Sequence, residues 1–205
     1  IEAARFLKKH KRIDSSKIFV LGHSLGAMAT PQILADEKSI AGGIMMAANA
    51  RPLPDLVLEQ YEYLTMLDGK LSEAEEKLIN EYKEKLKAVN DPKLSPETSK
   101  TKMPFNLSPT YWIWLKKYDQ LKTASELKRP LLILQGERDY QVTMKDFKLW
   151  RKQLRTKKTV TLKSYADLNH VFMTGKGKST PADYQKKGHV AVKVIEDITT
   201  WVKRQ

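Results

Sequence analysis

The fold is decided by the run I-F-V-L-G-H-S-L-G-A, which occupies residues 18–27. An apolar segment of strand length leads into G-H-S-L-G, and small residues that suit a helix follow. Strand, tight turn and helix in this order are the context in which G-x-S-x-G presents a serine on a strained turn. The pattern predicts a strand over residues 17–21 and a nucleophile elbow at Ser24. It also predicts a helix over residues 25–36, with a kink or early break near Pro31.

The residues around the serine have predicted roles in the elbow. We expect Gly22 and Gly26 to be required, because a side chain at either position would collide with the neighbouring strand or helix. The helix that starts at the elbow directs its positive end towards the reaction centre. The backbone amide of Leu25 should then stabilise an oxyanion. His23, inside the elbow, is a candidate substrate contact.

The composition narrows the class of protein. The chain has 205 residues, enough for one domain with a sizeable core, and it contains no cysteine, which excludes disulfides and thiolate metal sites in these residues. The lack of cysteine is equally compatible with a cytosolic protein and with an exported one, so it does not indicate the compartment. The formal net charge is +13, but the lysines are dispersed and no nucleic-acid-binding module is present, so we expect no nucleic-acid partner. No apolar run approaches the roughly 20 residues that cross a bilayer.

Further strands and helices alternate along the rest of the chain. Residues 40–48 and 131–135 are apolar on both faces, as is typical of strands in a parallel sheet covered by helices. Residues 159–165 alternate and predict a strand nearer the edge. Amphipathic helices are expected over residues 143–154 and 190–202. The pattern therefore predicts an α/β fold.

Residues 52–128 interrupt this alternation of strands and helices. Helical periodicity covers much of the segment, and Ser72 and Glu75 have the spacing of a capping box. Long insertions in compact domains are often active-site lids. The sequence thus predicts a helical cap between two core segments, residues 1–51 and 129–205. The alternative is a helical layer that packs on the sheet without a functional role.

An aromatic cluster marks the end of this insertion, in a helix predicted over residues 110–121. Aromatic side chains supply the apolar walls of ligand pockets. The candidate substrate-binding residues of this insertion are Tyr111, Trp112 and Trp114. His23 in the elbow and Val171, near the C-terminal end of the core, are the other two candidates. The alternative role for the aromatics is to anchor the insertion to the core.

A serine nucleophile needs a base within hydrogen-bond reach and a third group that orients the base. In a fold of this kind the acid follows the serine in sequence and the histidine comes last. Glu137 and Asp139 both follow the strand over residues 131–135. Asp139 is preferred, because it projects from the middle of the loop whereas Glu137 lies closer to the strand end.

Four histidines are available as the base, and one of them has the right position. His10 precedes the elbow, His23 cannot fold back onto its neighbour, and His189 begins the last helix. His170 follows the strand over residues 159–165 and comes after the candidate acid. Asp167 remains a possible substitute for the acid, although its closeness in sequence to His170 is unfavourable for the ring geometry.

The segments G-H-S-L-G-A, L-L-I-L-Q-G-E-R-D-Y-Q-V and L-N-H-V-F, in this order, resemble the α/β-hydrolase superfamily. The resemblance covers the chain outside residues 52–128 and is closest to capped bacterial esterases and to the serine-aminopeptidase-like and dienelactone-hydrolase-like branches. It implies Ser24 as the nucleophile, His170 as the acid and base, and Asp139 as the orienting residue. It also implies that the Leu25 amide is one oxyanion donor.

The resemblance implies a serine hydrolase that cleaves a carboxylic ester through an acyl-enzyme intermediate. No metal or cofactor is needed for that chemistry, and the expected partner is a small ester or a short peptide. A serine peptidase of the aminopeptidase-like kind is an alternative with the same mechanism. A binding module with a hydrolase fold and no activity is an alternative of a different class.

The strand over residues 17–21 carries a further expectation. It is apolar on both faces, yet it would lie at the margin of the predicted sheet, where a bare apolar strand is an aggregation liability. The second oxyanion donor of the family comes from a loop after an earlier strand, often with an H-G-G motif, and this sequence has no such motif. We therefore expect the C-terminal portion of an α/β-hydrolase fold, with a preceding segment that pairs along residues 17–21 and supplies the second donor.

Overall fold

The chain folds around a parallel β-sheet of four strands. A computed structural model describes all 205 residues. The strands are β1 (Phe19–His23), β2 (Gly42–Met46), β3 (Leu131–Gly136) and β4 (Val160–Tyr165). They are arranged in the order β1-β2-β3-β4 with every neighbouring pair parallel. The predicted α/β fold is confirmed.

Eight α-helices and three short 3₁₀-helices complete the regular structure. The α-helices are α1 (Glu2–Lys8), α2 (Leu25–Asp36), α3 (Leu53–Thr65), α4 (Glu73–Asn90), α5 (Pro109–Lys117), α6 (Gln120–Glu126), α7 (Met144–Leu154) and α8 (Val192–Lys203). None of the helices is long and apolar enough to cross a membrane.

The chain divides into two compact units. The α/β unit consists of Ile1–Ala50 and Gln120–Gln205, and the helical unit consists of Arg51–Asp119. The helical unit is shorter than the insertion expected over residues 52–128. The difference is α6, which belongs to the α/β unit because Ala124 and its neighbours are buried in that unit's core.

Helices cover the sheet of the α/β unit on both faces. One face packs against α2, α6 and α7 through buried side chains that include Ala27, Leu34, Met45, Ile133, Phe147 and Trp150. On the other face α8 contacts both outer strands. The rings of Phe19 and Trp201 lie 5.7 Å apart, and the Tyr165 hydroxyl donates a hydrogen bond of 2.7 Å to Asp197. The sheet is therefore buried as parallel sheets usually are.

Helix α2 runs without interruption through Pro31, so the expected early break does not occur. Both Pro31 and the nearby Leu34 are buried, and packing of this face overrides the local preference. The carboxyl end of the helix is held by Arg129, whose guanidinium donates to the carbonyl oxygens of Leu34, Glu37 and Ile40. Such contacts satisfy carbonyls that have no partner within the helix.

Strand β1 is an edge strand of the sheet. It pairs with β2 and with no other strand of residues 1–205, which confirms the marginal position expected for residues 17–21. Leu21 in its middle is 50% exposed. An apolar edge of this kind is normally covered in native proteins.

The helical unit has its own small core and its own caps. Val89, Met103 and Trp112 form a buried cluster. Ser72 and Glu75 form the predicted capping box at the start of α4, with the Glu75 amide donating to Ser72 Oγ and the Ser72 amide donating to the Glu75 carboxylate. The single helix predicted over residues 110–121 is two helices instead, because the backbone at the C-cap of α5 is extended.

Candidate active site

Ser24 occupies the turn between β1 and α2 in a strained conformation. Its backbone angles are φ 55° and ψ −120°, and a positive φ is uncommon for a residue with a side chain. The Ser24 amide donates a hydrogen bond of 2.9 Å to the carbonyl oxygen of Met46, the last residue of β2. The end of the neighbouring strand therefore holds the turn. This is the geometry of a nucleophile elbow, with the serine at the amino end of a helix.

One of the two glycines of the elbow is required by packing, and the other is not. A Cβ atom added to Gly22 would lie 2.2 Å from the carbonyl oxygen of Gly26 and 2.5 Å from Thr30 Oγ1. A Cβ atom added to Gly26 would meet nothing within 4 Å. The expectation for Gly22 is confirmed, whereas the collision expected at Gly26 is wrong because the space beside it is open.

Asp139 lies in the loop between β3 and α7 and accepts a hydrogen bond from His170. The distance between His170 Nδ1 and Asp139 Oδ2 is 2.8 Å. Asp139 Oδ1 accepts from the backbone amides of Gln141 and Val142, at 2.8 and 2.9 Å. The Asp139 side chain is fully buried. Both carboxylate oxygens therefore have partners, and their direction is fixed by the loop itself.

The two rival acids lie elsewhere. Glu137 is exposed and accepts a hydrogen bond of 2.7 Å from the Ser164 hydroxyl. Asp167 pairs with Lys193 at 2.5 Å, and the hydrogen bond from this ammonium lowers the pKa of the Asp167 carboxyl. Of the three candidate acids, the structure thus brings Asp139 to the histidine.

The loop after β4 fixes the position of His170. Asn169 Oδ1 accepts hydrogen bonds from the amides of Val171 and Met173, at 3.2 and 3.0 Å, and closes a tight turn around the histidine. This turn lies against the end of β3, because a Cβ atom added to Gly136 would lie 2.6 Å from the Asn169 carbonyl oxygen. The acid loop and the histidine loop are therefore in direct backbone contact, and His170 itself is buried.

His23 joins the elbow to this histidine loop. Its Nε2 atom lies 2.8 Å from the carbonyl oxygen of His170, and the two imidazole rings are 4.7 Å apart. Because a carbonyl oxygen only accepts, Nε2 of His23 carries the proton. Loss of hydration lowers the pKa of His23, and the hydrogen bond to the His170 carbonyl oxygen opposes this shift only in part. His23 is accordingly held beside the candidate base by a direct contact.

Sequence reasoning missed two residues that build the site. The side-chain nitrogen of Gln135 lies 3.1 Å from Asp139 Oδ2 and 2.8 Å from the carbonyl oxygen of Val142, so it braces the acid loop. Asn169 braces the histidine loop, as described above. Each had a signal in the sequence: Gln135 is a lone polar residue at the end of an apolar strand, and Asn169 directly precedes the candidate base.

The other candidate residues of the α/β unit are described by their position and exposure. Leu25 is the first residue of α2, so its amide has no acceptor within the helix. Val171 is partly buried beside His170. His10 and His189 are both exposed on the surface. No group of three or more histidine, aspartate and glutamate side chains is arranged to hold a metal ion.

The aromatic residues of the helical unit separate into packed and exposed ones. Trp112 is fully buried with Val89, and its Nε1 atom has no hydrogen-bond partner. Trp112 is therefore a core residue of this unit, which corrects its assignment as a substrate contact. Trp114 is 49% exposed and stacks on Tyr118, with ring centroids 5.6 Å apart. Tyr111 is partly buried against the edge of Trp112.

Comparison with known proteins supports the same fold and names a family. The family model described as serine aminopeptidase, S33 (Hydrolase_4) matches residues 2–176. Esterase EstD of Thermotoga maritima is 41% identical over 202 residues, which are 98% of this chain and 46% of that protein. The chain thus spans about half the length of this curated relative.

Two solved structures share the fold at low sequence identity. An esterase of Pyrococcus furiosus is 15% identical with a TM-score of 0.58, covering 98% of this chain and 58% of that one. Dipeptidyl peptidase 4 of Porphyromonas gingivalis is 16% identical with a TM-score of 0.55, covering 99% of this chain and 22% of that one. Because the family model covers most of the residues and agrees with the fold, this chain belongs to the serine aminopeptidase (S33) family of α/β hydrolases.

Proposed function

We propose that this protein is a serine hydrolase that cleaves carboxylic esters through an acyl-enzyme intermediate. One observation carries the proposal. A serine on a strained strand-to-helix turn is joined, through the adjacent His23, to a buried histidine whose Nδ1 donates to a fully buried aspartate. Along the sequence Ser24, Asp139 and His170 follow the order of nucleophile, acid and base, and we assign them these roles.

The proposed reaction follows from this arrangement. His170 Nε2 accepts the Ser24 hydroxyl proton while the serine oxygen attacks the ester carbonyl, and the tetrahedral oxyanion faces the Leu25 amide at the start of α2. The protonated His170 gives its proton to the leaving alcohol, which leaves an acyl group on Ser24. Water then attacks the acyl-enzyme with His170 as the base and releases the acid. Asp139 fixes the tautomer of His170 throughout and stabilises the imidazolium.

An ester substrate is favoured over a peptide by the relative at 41% identity, whose name is that of an esterase. The family model carries the name of an aminopeptidase, which makes a peptidase the second candidate. A panel of p-nitrophenyl esters of increasing acyl length, run beside aminoacyl p-nitroanilides, separates the two. Ester turnover that vanishes in Ser24→Ala is expected. Anilide turnover without ester turnover would assign a peptidase, and no turnover of either would favour a non-catalytic binding module.

We also propose that the helical unit acts as the cap of this enzyme and sets its substrate choice. The support is its place in the chain, because it begins at Arg51, five residues after the carboxyl end of β2, and ligands bind at the carboxyl ends of strands in open α/β sheets. The half-exposed Trp114 is an aromatic residue of this unit that is free to form an apolar wall. Trp114→Ala should change kcat/KM by different factors for short and long acyl chains, whereas equal changes would indicate packing alone.

The unpaired edge of β1 suggests a further component of the working enzyme. We propose that a polypeptide segment outside residues 1–205 pairs along this edge and supplies the second oxyanion donor. The half-exposed Leu21 and the unpaired strand support this proposal. Hydrogen exchange of the β1 amides should be slow if such a segment is bound and fast in residues 1–205 alone. Equal exchange in both would contradict the pairing.

A further inference from the structure

The candidate base has to reach the serine across the sheet. Ser24 follows β1 and His170 follows β4, and these are the two outer strands of the order β1-β2-β3-β4. Neighbouring strands lie about 4.8 Å apart, so three spacings span about 14 Å. The histidine loop must therefore extend over the ends of β3 and β2 towards the elbow. A contact that fixes where this loop arrives has direct consequences for the serine–histidine geometry.

His23 makes such a contact. It is the last residue of β1 and directly precedes the serine, and its Nε2–H donates to the His170 carbonyl oxygen over 147 residues of sequence, at 2.8 Å. The His23 ring also lies edge-on to Phe172, with ring centroids 6.4 Å apart. Phe172 is fully buried and has a φ of 59°, so the backbone that His23 contacts is a tightly defined turn.

The other anchors of the histidine loop connect it to the acid loop and to the start of α8, where the Ala191 amide donates to the Phe172 carbonyl oxygen at 2.9 Å. Asp139 holds Nδ1 of the imidazole, and the turn closed by Asn169 lies against Gly136 at the end of β3. These contacts fix the loop relative to the acid. The contact that joins the loop directly to the elbow is the one made by His23.

We propose that His23 is a positioning residue that holds the His170 backbone so that the imidazole is directed at Ser24. It acts through His170 rather than by touching the substrate, which replaces the substrate-contact role expected from its place in the elbow. This inference rests on the proposed serine-hydrolase function. It assigns the residue before the nucleophile a specific task, a hydrogen bond between the elbow and the base loop.

Matched variants at residue 23 separate the hydrogen bond from the ring. His23→Phe keeps an aromatic ring but has no donor, whereas His23→Gln keeps an N–H donor of similar reach. A misplacement of about 1 Å in a catalytic group costs on the order of a hundredfold in rate. His23→Phe should therefore lower kcat for p-nitrophenyl esters by about a hundredfold with KM nearly unchanged. His23→Gln should restore most of kcat.

Hydrogen exchange tests this inference, and reaction with a fluorophosphonate tests the proposed function, so the failure of one can be told from the failure of the other. Hydrogen exchange of the amides of residues 169–173 should quicken in His23→Phe and stay near wild type in His23→Gln, whether or not the protein turns over esters. Wild-type kcat in His23→Phe would overturn the proposal, as would a raised KM with kcat unchanged, which indicates substrate contact. Unchanged exchange in His23→Phe would also overturn it. A wild-type protein whose Ser24 does not react with a fluorophosphonate would instead overturn the proposed function.

Discussion

The contacts within each of the two units join residues at different separations in the sequence. In the α/β unit the contacts that build the site join residues far apart: Asp139 and His170 are 31 positions apart, and His23 and His170 are 147 apart. In the helical unit the Ser72–Glu75 capping box spans three positions, and the hydrogen bond from the Tyr82 hydroxyl to the Pro54 carbonyl oxygen spans 28. The contact of His23 with His170 is therefore much longer in sequence than these contacts of the helical unit.

The long-range contacts lie in the α/β unit, which also holds the candidate catalytic residues. Parallel strands bring distant loops to one edge of the sheet, so single residues there fix the geometry of a reaction. A unit built from caps and a small core is expected to affect stability and selectivity. Substitutions at the candidate site of the α/β unit should therefore reduce catalysis with little unfolding. Substitutions in the core and caps of the helical unit should lower stability with little effect on the chemical step.

The largest effect is expected at the serine. Ser24→Ala should lower kcat by about a millionfold, because the nucleophile is lost, and loss of the serine of a triad typically costs that much. Ser24 is only partly buried, so the free energy of unfolding should stay within about 0.5 kcal/mol of wild type. Ester turnover within tenfold of wild type would remove Ser24 from the mechanism.

The acid should rank second. Asp139→Asn should lower kcat by about ten-thousandfold, because an amide favours the wrong imidazole tautomer. Glu137→Gln is the matched control, since it makes the same chemical change two residues away in the same loop and should leave kcat within twofold. Similar losses in both variants would show that disturbance of the loop, rather than the contact with His170, is responsible.

The core of the helical unit provides the contrasting test. Trp112→Ala should lower the free energy of unfolding by about 3–5 kcal/mol, the usual cost of removing a buried aromatic side chain. Trp112→Phe should cost much less, because it keeps most of the apolar contact and removes an N–H that has no partner. Chemical denaturation measures both. If Trp112→Ala kept wild-type stability while changing acyl preference, its assignment as a core residue would be wrong.

The smallest effect is expected at the cap of α4. Ser72→Ala removes the side-chain acceptor of the Glu75 amide and should lower stability by about 1 kcal/mol. Activity towards short esters should not change. Lys70→Ala, next to the cap but outside the box, is the control and should be neutral. A loss of activity in Ser72→Ala without loss of stability would break the division between the two units.

Much of the α/β unit could be predicted from sequence because its signals are local. A both-face apolar run is typical of a buried strand, and G-H-S-L-G between a strand and a helix is specific to the elbow. The pairing of Asp139 with His170 was predicted from their places in the loops after two strands and from the order of acid and histidine after the serine. Gly26 was misjudged because its surroundings depend on which neighbours lie beside it in space.

The features that sequence did not reveal depend on three-dimensional packing. Trp112 and Trp114 are two positions apart in one helix and so lie on different faces of it, but the sequence did not show that the face of Trp112 is buried and that of Trp114 half exposed. The continuity of α2 through Pro31 required knowledge of the buried face around it. The contact between His23 and His170 joins opposite ends of the chain and was outside the reach of any local pattern.

The most direct test of the central claim is to map the site of fluorophosphonate labelling by mass spectrometry. The account predicts a single covalent adduct on Ser24, absent in Ser24→Ala and formed far more slowly in Asp139→Asn. Full reactivity in Glu137→Gln would show that the slowing is specific to the acid that contacts His170. An adduct on another residue, or none on a folded wild-type protein, would contradict the assignment of Ser24, His170 and Asp139 as a catalytic triad.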